Sequence, residues 1–280
     1  DATIASLTER ARVAEAMSVL RVANAVGIGV GGMLGGVIVA GGGLREYRIL
    51  FVLSAAMIAA AALLVWRTVP AVRLHATDAS GAHGTWGDVL PDRTFIFALV
   101  IWFVFVFGFT QITMSVPAFL REEAGIGEGT IGALFLLNTI IVVGAQIPIA
   151  AWINRGRVGP PLVAAAALWT VAFLLILATP PLGVGAAVAA FAVYTAGEVL
   201  FMPVTAVIPV RLAPLHLRGR YFSATSIVWG GSYALATFAG GVALDLPNPS
   251  VSWPVMAALM LAGGVLSISF ARSPRIAPEA

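Results

Sequence analysis

The sequence predicts an all-α, polytopic membrane protein, and three observations carry that prediction. Of 280 residues, 60% are hydrophobic and only 10% are charged, whereas in soluble domains about a quarter of residues carry charge. Apolar stretches long enough to cross lipid recur near residues 13–40, 49–66, 94–119, 129–153, 161–178, 184–210, 221–244 and 253–270, a spanning helix needing about 20 such residues. All 16 basic residues are arginine, and all but Arg21 fall between or at the ends of these stretches.

Taken in order, the first stretch has glycines at every fourth position, Gly27, Gly31 and Gly35, with Gly32 and Gly36 beside them. That spacing lines one helical face and lets a second helix backbone approach closely in lipid, so this helix is expected to form a seam. Arg21, two turns inside it, is expected to snorkel to the interface or to face the cavity and pair with a carboxylate. After the second stretch, the interval Arg67–Arg93 holds Pro70, His75, Asp78, Gly81, His83, Gly84, Asp88 and Pro91 and reads as a linker. It divides the chain into residues 1–69, ending one bundle; 70–92, the linker; and 93–280, a six-helix bundle.

The third stretch is rich in Phe, Val and Ile, yet it is too long for a barrel strand and lacks strict alternation, so a helix is expected. In the fourth, Asn138 lies near the middle and Gln146 eight residues on. With Gln111, Thr113 and Tyr233 they can line a central path for drug-like solutes, or each can instead hold neighbouring helices by hydrogen bonds. Glu198 is the only acid in the middle of any stretch. An ionised carboxylate is costly in lipid, so it is expected to bind a proton or a cationic group, or to hold neighbouring helices by hydrogen bonds. Tyr194, one turn earlier, shares its face and is expected to line the same cavity.

Counting arginines orients the chain. Twelve fall on one side, from Arg10 and Arg12 to Arg272 and Arg275, and only Arg45, Arg48 and Arg121 on the other. The arginine-rich side is expected to be cytoplasmic, with both chain ends on it.

An internal echo supports a duplicated architecture. Leu7-Thr-Glu-Arg-Ala-Arg12, followed by a helix ending in Gly35-Gly36-Val37, matches Ala213-Pro-Leu-His-Leu-Arg218, followed by a helix ending in Gly240-Gly241-Val242. The series Gly27-x-x-x-Gly31-Gly32-x-x-Gly35-Gly36 resembles the antiporter signature G-x-x-x-G-P-x-x-G-G in the fifth helix of major facilitator superfamily exporters, with Gly32 in the proline position. Gln111 to Pro117, Gly132 to Asn138 and Gln146-Ile-Pro148 resemble the seventh and eighth helices of drug:proton antiporters of that superfamily. Gly197-Glu198-x-x-x-x-Pro203 and Arg218-Gly219-Arg220-Tyr221 resemble the tenth helix and the loop to the eleventh. Asn154-Arg155-Gly156-Arg157 is similar to the superfamily's G-x-x-x-D-R-x-G-R loop, with Asn154 in the aspartate position and the spacing one residue shorter.

The resemblance implies eight helices of a twelve-helix fold, a fragment lacking the first four, and proton-coupled efflux of drug-like molecules by alternating access. It makes Glu198 the proton-coupling candidate and Arg12, Asn154, Arg155, Arg157, Arg218 and Arg220 candidates for gating loops. The alternative within transport is a sugar or metabolite uptake porter; a membrane protein with no transport role is a third reading. The three histidines fall in loops and no helix carries His-x-x-x-His or paired carboxylates, which argues against an enzyme and a metal site. No cofactor or phosphate-cradling loop is expected. The expected partners are a small-molecule substrate, protons and the lipid bilayer, but not nucleic acid. A monomer in the bacterial inner membrane is expected.

Overall fold

The computed structural model describes residues 44–68, 85–156 and 158–276, with scattered helical positions between 19 and 38. The chain divides into two compact units, one comprising Val26–His83 and the other Asp1–Ala25 with Gly84–Ala280. Among the described residues, seven helices are long and apolar enough to cross a membrane, and no strand occurs. The first expected segment, 13–40, lies largely outside the described residues.

In the smaller unit, α1 (Leu44–Thr68) carries Glu46 in its first turn and Arg67 in its last, each complementing the helix dipole. Tyr47 and Trp66 are exposed near its two ends. Their separation along the axis is about 28 Å at the helical rise, close to the thickness of a hydrocarbon core, and rings at those depths suit the two interfaces. Leu50 lies beside Gly35, its Cδ1 3.7 Å from where a Cβ would stand.

From Gly84 onward the first helix of the larger unit is α2 (Trp86–Val89), whose start is fixed by Thr85 donating its backbone N–H to the Asp88 carboxylate at 2.6 Å. The long helices follow as α3 (Arg93–Met114), α5 (Glu128–Arg155), α6 (Gly159–Leu177), α8 (Val184–Leu212), α9 (Arg218–Leu244) and α10 (Ser252–Ala271). Two short helices, α4 (Val116–Glu122) and α7 (Thr179–Leu182), extend α3 and join α6 to α8. The expected segment 94–119 is interrupted at Ser115, where α3 ends and α4 begins. Pro117 has no N–H to give the Thr113 carbonyl, so the ladder breaks there. Gly125 and Gly183 have φ near +65° and make the turns into α5 and α8, a conformation glycine adopts without a Cβ penalty.

The core sits where α3, α6 and α8 meet. Trp169 lies parallel to Tyr194 with centroids 5.3 Å apart, and Phe105 stacks on Phe201 at 5.0 Å. All four rings are fully buried. Small residues make this approach possible. A Cβ on Gly197 would stand 2.6 Å from the Trp169 ring, and one on Gly108 would stand 2.6 Å from the Met260 methyl. Close contact through glycine is how helices associate in lipid, which gives no hydrophobic push between them.

Candidate functional site

The buried acid expected from sequence lies halfway along α8. Glu198 is 4% exposed, and α5 supplies its partner. Asn138 Nδ2 donates to Glu198 Oε2 and to Thr195 Oγ1, both at 2.9 Å. Thr195 gives its own proton to the Phe191 carbonyl at 2.6 Å, so its oxygen faces Asn138 as an acceptor. Both amide hydrogens of Asn138 are thereby engaged, which fixes the orientation of the group. The i−3 spacing of Thr195 and Glu198 puts both acceptors on one face.

Gln146 acts on the next turn. Pro203 has no N–H, so the Val199 carbonyl, one residue past Glu198, lacks the donor a regular helix would give it. Gln146 Nε2 approaches that carbonyl at 3.5 Å, a long hydrogen bond. Its Oε1 is buried with no partner among the described residues. Asn138 and Gln146 thus both reach from α5 to α8, on either side of the Glu198 turn.

The other expected cavity residues take different directions. Tyr194 is fully buried and donates its hydroxyl to the Phe109 carbonyl of α3 at 3.0 Å, while its own carbonyl accepts from Trp169 Nε1 at 2.8 Å. Gln111 donates to the Ala236 carbonyl of α9 at 3.1 Å and accepts from Ser115 at 2.6 Å. Tyr233 is half-buried on α9, and its carbonyl accepts from Thr237 at 2.9 Å. Asn138, Gln146 and Glu198 are brought together; Gln111 and Tyr194 engage other helix pairs.

At the arginine-rich end, Asn154, in the last turn of α5 and not in a loop as expected, and Gly156, just after it, offer their carbonyls to Arg211 at 2.9 and 3.2 Å. Arg211 also donates to the Ile276 carbonyl at 3.3 Å. Arg155 is exposed at the end of α5, Arg218 is half-buried at the start of α9, and the Arg220 guanidinium stands 5.5 Å from the centre of the Trp86 ring. Of the glycine seam, Gly27, Gly31 and Gly35 are described; Gly32, Gly36, Arg12 and Arg157 lie outside the described residues.

A cluster at this end was missed by sequence reasoning. Asp92 accepts two hydrogen bonds from Arg275, at 2.6 and 3.0 Å, and one from the Tyr221 hydroxyl at 2.7 Å, and caps α3 by accepting from the Phe95 N–H at 3.1 Å. Burial pushes the Asp92 pKa up, but the bonds from Arg275, Tyr221 and Phe95 outweigh it and hold the carboxyl below its ordinary value of 3.8. The signal available was Asp92 at the N-cap position before an apolar run.

The chain matches known proteins in sequence. The sequence profile of the Major Facilitator Superfamily matches residues 1–237. The chain is similar to the uncharacterized MFS-type transporter YqjV of Bacillus subtilis (strain 168), 27% identical over 177 residues. That match covers 61% of this chain and 42% of the relative.

Proposed function

Because the chain belongs to the Major Facilitator Superfamily, whose members are in general transporters rather than enzymes, we propose that it works within a secondary active transporter that exports small drug-like molecules in exchange for protons. The observation that carries the reading is Glu198, an acid buried halfway along α8 and held across a helix interface by Asn138. Protonation removes its charge, the costly feature at membrane depth, and changes what the carboxyl can accept and donate. A group with two such states, beside the bend allowed by Pro203, suits a carrier that rocks between two orientations.

In this reading residues 1–69 close the first bundle, 70–92 connect the bundles, and 93–280 form the second. Asn138 and Gln146 line the coupling face, and Gln111, Tyr194 and Tyr233 belong to the wall around the substrate path. Gly27, Gly31, Gly32, Gly35 and Gly36 form the seam. Arg12, Asn154, Arg155, Arg157, Arg218 and Arg220 belong to the loops that open and close the arginine-rich side. That side is cytoplasmic, in a bacterial inner membrane, and the transporter is monomeric.

The test uses the full protein reconstituted in liposomes with an imposed proton gradient, a cationic dye such as ethidium serving as probe. Dye export should depend on the gradient and collapse with an uncoupler. Glu198→Gln should abolish that dependence while the variant reaches the membrane in normal amount. Undiminished gradient-driven export by Glu198→Gln would overturn the coupling role. Uptake of a sugar, with no export of dye, would favour the alternative porter.

A further inference from the structure

A cavity of about 30 Å³ lies between α3, α9 and α10, lined among others by Gln111, Ser115, Gly240, Ser252, Trp253 and Met256. Trp253 is 1% exposed, and its Nε1 is buried with no acceptor among the described residues. An indole N–H left without a partner costs free energy, so a buried tryptophan normally finds one. The ring's described aromatic neighbours are Phe119, edge-on at 5.0 Å, and Phe173, stacked at 6.0 Å; neither offers a lone pair. The cavity on which Trp253 borders is where an acceptor can stand.

Its other walls supply what such an acceptor would need. Gln111 Oε1 accepts one hydrogen bond, from Ser115 Oγ at 2.6 Å, and a carbonyl oxygen has a second lone pair. Ser115 has given its proton away and keeps acceptor capacity. Gly240 holds the space open, since a Cβ there would collide with the Ser115 hydroxyl and lie 2.8 Å from Gln111 Oε1. None of the lining residues is charged, so a desolvated ion would find no counter-charge there. The volume suits one water, which needs upwards of about 10–15 Å³ and two or more polar partners.

We propose that this cavity is a water-binding site: a solvent molecule accepts from the Trp253 indole N–H and donates to the oxygens of Gln111 and Ser115. It ties the first turn of α10 to the last turn of α3, beside Gly240 of α9. The site stands apart from Glu198 and does not depend on the transport reading.

The experiment is water-selective cross-relaxation on the full protein in detergent with ¹⁵N-labelled indoles. Trp253 is assigned by the resonance lost in Trp253→Phe, or, should that variant fail to accumulate, by cross-peaks to the Met256 methyl. The expected result is a water contact at the Trp253 indole proton and none at Trp169, whose N–H donates to the Tyr194 carbonyl. Absence of a water contact at Trp253 would overturn the proposal. So would an upfield-shifted indole proton lying over the Phe119 ring.

Discussion

Asn138 is the side chain on which the arrangement of the buried acid turns. Its single amide nitrogen supplies Glu198 and Thr195 together, so Asn138→Leu deprives two acceptors at once. A buried acceptor left without its donor costs about 1–3 kcal/mol. The expected loss for Asn138→Leu is about 2 kcal/mol, read as a lowered midpoint of thermal unfolding, against about 1 kcal/mol for Thr195→Val. Equal midpoints for Asn138→Leu and the parent would contradict this. The sequence pointed to Asn138 and Glu198 because polar groups at membrane depth stand out against an apolar background. It could not pair them, since 60 residues separate them and helical periodicity carries no information about which face meets which neighbour. Tyr194 shows the same limit: it shares a face with Glu198 in sequence, yet its hydroxyl reaches α3.

At the scale of the element, α8 is a helix with a missing bond next to its acid. Pro203 leaves the Val199 carbonyl without its usual donor, and Gln146 supplies a substitute from α5. The two positions should therefore be coupled. Gln146→Leu alone leaves a buried carbonyl unsatisfied, at a cost of about 1–3 kcal/mol. In a Pro203→Ala background the backbone N–H is restored, and the same substitution should cost about 1 kcal/mol less. A double-mutant cycle on thermal stability measures the difference, and strict additivity would show that the two act independently. Helices of this kind were legible: α5, α6, α8 and α10 start and stop within two residues of the apolar stretches that announced them. The break at Ser115 was not, because Val, Pro and Phe continue the apolar run across it and only the missing N–H of Pro117 interrupts the ladder.

In the larger unit, guanidinium groups and the Asp92 carboxylate fasten arginine-rich ends of the helices to one another. Arg211 ties α8 to the C-terminal end of α5 and to the segment after α10, and Arg275 ties that segment to Asp92. These contacts were hidden from the sequence because 183 residues separate Asp92 from Arg275. The folded state holds the Asp92 pKa below 3.8, so the folded protein binds this proton less readily than the unfolded chain. The associated stability is present above pH 3.8 and is lost as pH falls through the lower, folded value. Asp92→Asn should therefore lower the unfolding midpoint at neutral pH, and the gap to the parent should close in that acid range. A gap that stays unchanged however far the pH falls below 3.8 would assign the effect to shape rather than charge.

The same clamp bears on proteolysis. A protease of trypsin's specificity must draw an arginine side chain into its own acidic pocket before it cuts the bond that follows. Arg275 already spends its guanidinium on Asp92 and the Leu212 carbonyl. The bond between Arg275 and Ile276 is thus open to cleavage only in molecules whose clamp has let go, and nicking there counts that released population directly.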